Sequence, residues 1–503
     1  MMRIGAAVAP VLLLLPLATV APAQAASVGR AGGGAVTRTV LAPTAIVDRR
    51  GTHVGSVAAL EKRDQNGTAD DHARYVRFGG PSVAYAGYRS YTLRKGIARS
   101  SVTTITLTAN FRGPVATKRR WTWSIFDFTH DAWVRVGDQN HCGGDAGTRK
   151  WPCDDLRRAP WKYVQYNAIH AAGASLADFV DGTTREIRIR LRSASTRAAA
   201  LDWEALEVYS NGGGPVTPWA PPIRTRWEWQ LQGAAGHFPS TGGIDVGICR
   251  RPFDGATCVR PEMLDIDLYV DPSIAGRFGY VINTSAVDAI HASGRHVIGY
   301  MTAGDIERWR PDYEQFVAFD RRCGGCLRGK PFSPRFPDEY WANINDGKGQ
   351  ADFMLQMIRA RTDRVAGAGF DGVEYDIVDT YAQGRRVTGF RVSADTQLAY
   401  NIALATMAHA DGLSVALKND GGQIPDLLPY FDYAINEQCF QYDECDYPEP
   451  GLRAFVKAGK PVFQAEYRLD PSAFCPTANR WGFNSILKAK NYSLYGRPWT
   501  PCR

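Results

Sequence analysis

Phe370-Asp371-Gly372-Val373-Glu374-Tyr375-Asp376-Ile377-Val378-Asp379 is a short apolar run that ends in acids. Side chains alternate along a strand, so Glu374 and Asp376 project to one face and Gly372 leaves room beneath them. Two carboxylates on one face repel, so one of them is expected to hold a proton near neutrality. Similar runs recur on both sides. Trp227 to Leu231, Leu264 to Tyr269, Val297 to Met301 and Trp341 to Asn345 precede it; Ser414 to Asn419, Tyr433 to Glu437 and Val462 to Tyr467 follow. Amphipathic segments of helical length, such as Phe353 to Ala366 and Thr396 to Ala410, separate several of these runs. Eight alternating units in about 280 residues predict an α/β architecture, a (β/α)8 TIM barrel spanning residues 223–503.

Upstream the pattern changes. Ser210-Asn211-Gly212-Gly213-Gly214-Pro215-Val216-Thr217-Pro218, followed by Pro221-Pro222, is too rich in Gly and Pro for regular structure and predicts a linker over 211–222. Before it, strand-like runs at Ser101 to Phe111, Trp121 to Phe128, Ala132 to Val136, Arg185 to Leu191 and Leu201 to Tyr209 lie between turn residues. Thr103, Ile105 and Leu107 alternate with polar or small neighbours, the period of a half-buried strand. An all-β, jelly-roll-like sandwich over 40–210 follows. Its Trp121, Trp123, Trp133, Trp151 and Trp161 could form a sugar-binding face, although alternating tryptophans in a sandwich more often belong to its core.

The chain opens with Arg3, an apolar run from Val11 to Val20 and the small-residue sequence Ala23-Gln24-Ala25-Ala26, which reads as a signal peptide over 1–26 and predicts a secreted, extracellular protein. Pro10 and Pro16 break that run, and no later stretch is long and apolar enough to span a bilayer. Ten cysteines suit an oxidising compartment. They fall into sequence neighbours: Cys142 with Cys153, Cys249 with Cys258, Cys323 with Cys326, Cys439 with Cys445, and Cys475 with Cys502. Cys323-Gly-Gly-Cys326 also has the spacing of a zinc knuckle or redox dithiol, but no second ligand pair and no small α/β context accompanies it, so stapling disulfides are expected.

The net charge of +8 is uneven. Residues 1–222 carry 28 Lys and Arg against 17 Asp and Glu, and the remainder 31 against 34. The basic half could meet an anionic cell-surface polymer, and the acidic half a cationic substrate. The longest basic run, Lys118-Arg119-Arg120, is too short to indicate nucleic acid.

The loops after the strands converge at the C-terminal end of a barrel, so polar residues that end apolar strands are its candidate chemistry. Asp305, Glu374 and Asp376, Lys418-Asn419-Asp420, Glu437 and Glu466 all qualify. A pair of carboxylates is what glycosidic hydrolysis needs: one protonates the leaving oxygen, and the other attacks the anomeric carbon or activates water. Aromatic residues accompany the acids at Trp227, Trp229, Tyr300, Trp309, Tyr375, Tyr381 and Tyr467, and sugars stack on aromatic rings. No His/Asp cluster with metal-ligand spacing appears at the strand ends, so no metal or cofactor is expected and a metal-dependent deacetylase is disfavoured.

The C-terminal half resembles the endo-α-1,4-polygalactosaminidases of glycoside hydrolase family 114. The resemblance rests on Trp227-Glu228-Trp229-Gln230-Leu231, Asp265-Ile266-Asp267-Leu268-Tyr269, Tyr300-Met301-Thr302-Ala303-Gly304, Trp309-Arg310-Pro311-Asp312, Gly369-Phe370-Asp371-Gly372-Val373-Glu374, Leu417-Lys418-Asn419-Asp420 and Asn436-Glu437-Gln438-Cys439. It implies a TIM barrel that cleaves a galactosamine-containing polysaccharide internally, with retention, using Asp376 as nucleophile and Glu437 as acid/base. Asp305, Glu374, Asp379 and Glu466 would then bind hydroxyls and amines of the amino-sugar polymer, with Lys418, Asn419, Trp229, Tyr300 and Tyr467 completing the substrate site. One departure stands out. The family's Pro-Asp-Asn-Val-Asp-Gly continuation is here Tyr375-Asp376-Ile377-Val378-Asp379-Thr380, so Ile377 replaces an Asn. Two other readings stay open: a non-catalytic glycan-binding adhesin, and a barrel glycosidase acting on a neutral or N-acetylated glycan.

Overall fold

The computed structural model describes residues 36–65, 74–80, 83–113, 120–139, 161–170, 175–212, 217–271, 274 and 281–503. The expected signal peptide, the Cys142–Cys153 pair, Trp151 and the middle of the linker lie outside these residues.

The N-terminal region is two antiparallel sheets. One orders the strands His53–Val54, Val76–Phe78, Ala199–Asn211, Val102–Arg112 and Lys162–Asn167, with Val36–Leu41 also paired to Ala199–Asn211. The other orders Ala45–Arg50, Tyr85–Thr92, Glu186–Ser193, Thr122–Asp127 and Ala132–Asp138. Their inward faces share one core, with Ile105, Leu107 and Phe111 from the first sheet meeting Trp123, Ile125, Ile187 and Leu191 from the second. Trp121, Trp123 and Trp161 are buried, so these three serve the core and not a sugar-binding face. The indole of Trp123 donates to Glu204 at 3.1 Å, and Glu204 also accepts from the enclosed Arg89 and from Tyr91.

The strand Val102–Arg112 departs from the expected half-burial, because nearly all of it is covered on both faces. The helix Gln350–Gly367 of the C-terminal half packs on its outer side. From that helix the enclosed Arg364 donates to Thr106 Oγ1 at 2.6 Å and to Asn167 Oδ1 at 2.7 Å. The side chain of Gln315 bonds the backbone of Asn167 in both directions at 2.8 Å.

In the C-terminal half eight strands run parallel in chain order: β1 (Trp227–Trp229), β2 (Met263–Asp267), β3 (His296–Thr302), β4 (Gly372–Asp376), β5 (Ser414–Lys418), β6 (Tyr433–Glu437), β7 (Val462–Glu466) and β8 (Asn484–Leu487). A short antiparallel strand, Thr500–Pro501, follows β8 and makes the sheet nine-stranded and mixed. The sheet is nearly closed, its two ends bridged by side chains. The Trp227 indole donates to the Asn484 carbonyl at 2.7 Å, and the buried Lys488 pairs with Glu228 at 2.6 Å. Burial pushes Glu228 up to about 8 against the pull of Lys488.

Two expectations are corrected. Trp341 to Asn345 is not a strand of this sheet: Phe336–Ala342 pairs antiparallel with Asp305–Glu307 and Arg328–Ser333 in a separate three-stranded sheet after β3. The eighth parallel strand is instead Asn484–Leu487, whose Asn-Ser start hides it from an apolar-run search. The stretch from Phe370 therefore supplies the fourth parallel strand and not the fifth. The connections are also uneven. Full helices Thr284–Ala292, Gln350–Gly367, Ala394–Ala410 and Pro471–Trp481 serve some crossovers, while β1 to β2 is described only with the 3-10 turn Pro239–Thr241.

Disulfides Cys249–Cys258, Cys323–Cys326, Cys439–Cys445 and Cys475–Cys502 are formed, each between the sequence neighbours expected. Among the described residues no helix is long and apolar enough to cross a membrane.

Arg364 leads to a test of the interface. Arg364→Ala removes two buried charge-assisted hydrogen bonds, leaving the two acceptor atoms only the bond from Thr106 Oγ1 to Asn167 Oδ1 at 2.9 Å, and is expected to cost about 3 kcal/mol. Scanning calorimetry should show Tm lower by several degrees, with kcat near the wild-type value.

Candidate active site

Glu374 and Asp376 face inward from β4, Lys418 from the end of β5, and Glu437 from the end of β6. These are consecutive strands paired in parallel register. Their side chains meet around one atom. Lys418 Nζ lies 2.9 Å from Asp376 Oδ1, 3.2 Å from Glu437 Oε2 and 3.3 Å from Glu374 Oε1, and 4.8 Å above the ring of Trp229. The oxygens of Asp376 and Glu437 that share this ammonium are therefore no more than about 6 Å apart.

Each acid has its own further partner. The Tyr300 hydroxyl donates to Asp376 Oδ2 at 2.8 Å, and the Tyr467 hydroxyl to Glu437 Oε1. The Trp229 indole donates to Glu374 Oε2 at 3.1 Å. Trp229 and Tyr467 are fully enclosed, so they act through the carboxylates and offer no ring face to a sugar. Tyr375 points away from the site and meets Thr362 at 2.7 Å.

Burial raises the carboxyl of Glu437, with the charge of Asp376 adding to it and Lys418 opposing. Glu374 is raised for the same first reason, again against Lys418. Near Glu374 sits Asp265 of β2, fully buried and held well above the ordinary range by burial and by the charge of Glu374. No donor among the described residues reaches either of its oxygens. Asp265 does not end an apolar strand and so lacks the strand-end signal, but Asp265 and Asp267 alternate along β2 as Glu374 and Asp376 do along β4.

Other expected residues divide into those at the mouth and those behind it. Asp379 is half-buried beside Asp376 and pushed up to about 6 by burial and that neighbour. Asp420 accepts from Tyr381 at 2.9 Å and from Asn401 at 3.0 Å, and burial lifts it to about 7. Asp305 accepts from the Thr302 hydroxyl and is raised well above the ordinary range by burial and by Glu307. Asn419 accepts from the Glu437 backbone N–H at 3.0 Å, which fixes the end of β6. Glu466 lies behind the mouth: it accepts from the Phe440 and Gln441 backbone N–H groups and from Gln464, so it anchors the turn after β6.

All three catalytic-candidate strands end alike. Ile377, Asn419 and Gln438, each immediately after Asp376, Lys418 and Glu437, adopt left-handed backbone with φ of 61°, 55° and 63°. Asn tolerates this geometry, but a β-branched residue does not, so Ile377 is strained by about 1–3 kcal/mol. Its N–H donates to Asp376 Oδ1 at 2.8 Å, and its carbonyl lies so near Gly304 that a Cβ there would approach to 1.7 Å. The substituted family position thus holds an acid with its backbone, whatever side chain it carries.

Acids crowded where parallel strands end are the anatomy of a sugar-cleaving hydrolase. The chain belongs to glycoside hydrolase family GH114, whose model matches residues 213–500; a model described as the N-terminal glycosyl-hydrolase-114-associated domain matches residues 60–203. An uncharacterized protein of Deinococcus radiodurans is 25% identical over 201 residues, 38% of this chain and 61% of its own length, so the chain spans less than two thirds of that relative. Among solved structures, Aspergillus fumigatus Ega3 in complex with galactosamine is 27% identical, covering 58% of this chain and 100% of that one, with a TM-score of 0.43. The Podospora anserina GH26-CBM35 β-(1,4)-mannanase covers 91% of this chain and 94% of its own at 10% identity and a TM-score of 0.29.

The shared ammonium yields a pH test. Lys418→Met removes the cation that favours the charged forms of Glu374 and Glu437, so both carboxyls should titrate at higher pH. A pH–rate profile is expected to show the alkaline limb moved upward and kcat reduced about 10²-fold.

Proposed function

We propose that this chain is a secreted, endo-acting glycosidase that cleaves an α-1,4-linked, galactosamine-containing polysaccharide with retention, with Asp376 as nucleophile and Glu437 as acid/base. The observation that carries the reading is the single Lys418 ammonium shared by Asp376 and Glu437. It keeps the nearest oxygens of the two acids within about 6 Å of each other, which supports the close spacing of retaining enzymes over the wider gap that admits a water between them. The nearly closed parallel sheet is read here as a (β/α)8 barrel with its active site at the C-terminal ends of the strands, the barrel occupying 223–503 and the sandwich 40–210. Four disulfides support export to an oxidising compartment.

The two acids divide the work by environment. Asp376, bonded by Lys418 and Tyr300, presents a carboxylate that forms a bond to the anomeric carbon while the glycosidic C–O bond breaks. Glu437, its carboxyl raised by burial, carries the proton that goes to the departing oxygen. In the second half Glu437, now ionised, takes a proton from water. That water attacks the same carbon and frees Asp376, so the product keeps its configuration.

Substrate class follows from charge. Asp379, Asp305 and Asp420 crowd the same mouth, all with raised carboxyls, while Lys418 is already spent on three acids. A cationic amino sugar would supply the missing positive charge.

Asp376→Asn and Glu437→Gln should each lower release of reducing ends from de-N-acetylated galactosaminogalactan by about 10³-fold or more, with melting curves unchanged. Proton NMR of the first product should show the α-anomer. Wild-type protein that binds the polymer without cutting it would point to an adhesin, and β-product to inversion.

A further inference from the structure

The three-stranded sheet after β3 brings a second group of acids to the mouth. Asp305 pairs in register with Trp341, and Glu307 with Glu339. Residues two apart on a strand and residues directly opposed across a pair share one face, so Asp305, Glu307 and Glu339 face the same way. The Ala342 N–H donates to the Gly304 carbonyl at 2.9 Å, which holds this sheet against the end of β3.

Like charges placed directly opposite one another destabilise a sheet, so the Glu307–Glu339 pair is costly unless something answers it. Glu307 is answered by Arg310 at 2.5 Å, whose other nitrogens are taken by Asp267 at 2.7 and 2.8 Å. Asp305 has the Thr302 hydroxyl. Glu339 is left over: it is only 8% exposed, and among the described residues no hydrogen bond or ion pair reaches its carboxylate. Burial first, then the charges of Asp305, Glu307 and Asp376, hold its carboxyl well above the ordinary range. The Ala303 N–H donates to the Asp376 carbonyl at 2.9 Å, so the strand that carries Asp305 and Glu307 starts two residues from a backbone contact with the nucleophile candidate. The Glu339 oxygens are not among the fully enclosed polar atoms, so a largely buried carboxyl here meets no protein donor yet stays open to a donor that arrives with a ligand. Metal is a poor candidate for that partner, since among the described residues no three His, Cys, Asp or Glu side chains are grouped to hold an ion.

We propose that Glu339, with Asp305 beside it, seats the ammonium group of a sugar adjoining the scissile bond, and so sets a preference for free-amine over N-acetylated polymer. The proposal rests on the glycosidase reading of the mouth. An ammonium brings three donors and one positive charge, which is what an unanswered carboxylate next to a half-satisfied one lacks. An acetamido group in its place brings no charge and a methyl group the acids cannot solvate.

The test compares full-length wild type with Glu339→Gln on an α-1,4-linked galactosamine polymer and on the same polymer after chemical N-acetylation, with kcat and KM read from reducing ends. Glu339→Gln should raise KM for the free-amine polymer about tenfold, change kcat less than about twofold and leave KM for the acetylated polymer unaltered. Because the substitution removes a like-charge pair while keeping the volume, its melting temperature should hold or rise. Should it nevertheless unfold the protein, Asp305→Asn is expected to show the same amine-selective rise. KM unchanged on both polymers, or raised equally on both, overturns the proposal. If wild type leaves the free-amine polymer uncut, the glycosidase reading fails and this inference with it; if wild type cuts, only the role of Glu339 is at stake.

Discussion

Lys418 is enclosed at the end of β5 with three carboxylates within 3.3 Å of its ammonium, and most of the site follows from satisfying that one charge. Taking a lysine and three acids out of water costs far more than any one pair returns, so the group persists only if every oxygen is placed. Strand register does the placing: β4, β5 and β6 are neighbours, Glu374 is level with Ala416, two residues before Lys418, and Lys418 is level with Ile435, two residues before Glu437, so the inward acids step up around the lysine. Tyr300, Tyr467 and Trp229 then take up lone pairs that Lys418 leaves. The result is a rigid frame for two acids, built before any sugar arrives.

A second buried cation does comparable work far from the chemistry. Arg364 joins the helix behind the sheet to the outer face of the sandwich, through Thr106 and Asn167. The polar residues on that face of Val102–Arg112 would suit a solvent-facing strand, and here they line an interface between the two halves.

Much of this was legible in the chain. Period-two alternation placed Glu374 and Asp376 on one face, and strand ends pointed to Lys418 and Glu437. Pairing of neighbouring cysteines foretold the four disulfides. What stayed hidden had physical causes. Trp341 to Asn345 has strand propensity, but local pattern does not say whether a strand joins the parallel sheet or folds back on its neighbour. Asn484–Leu487 buries polar side chains and lacks an apolar signature. Glu339 gains its interest only from the strand opposite, and Glu466, which ends its strand as a catalytic residue would, is turned to holding a loop. The buried tryptophans of the front domain show how poorly residue type alone separates a binding face from a core.

The left-handed residue that follows Asp376, Lys418 and Glu437 has a further consequence. At each of these points the chain swings off the strand axis at once, so the reactive side chain belongs to the sheet while the next residue already belongs to the rim. Loops attached beyond such a joint can lengthen or be exchanged with little leverage on the acids below. The rim is thereby free to evolve new polymer preferences while the bond-breaking apparatus is inherited intact.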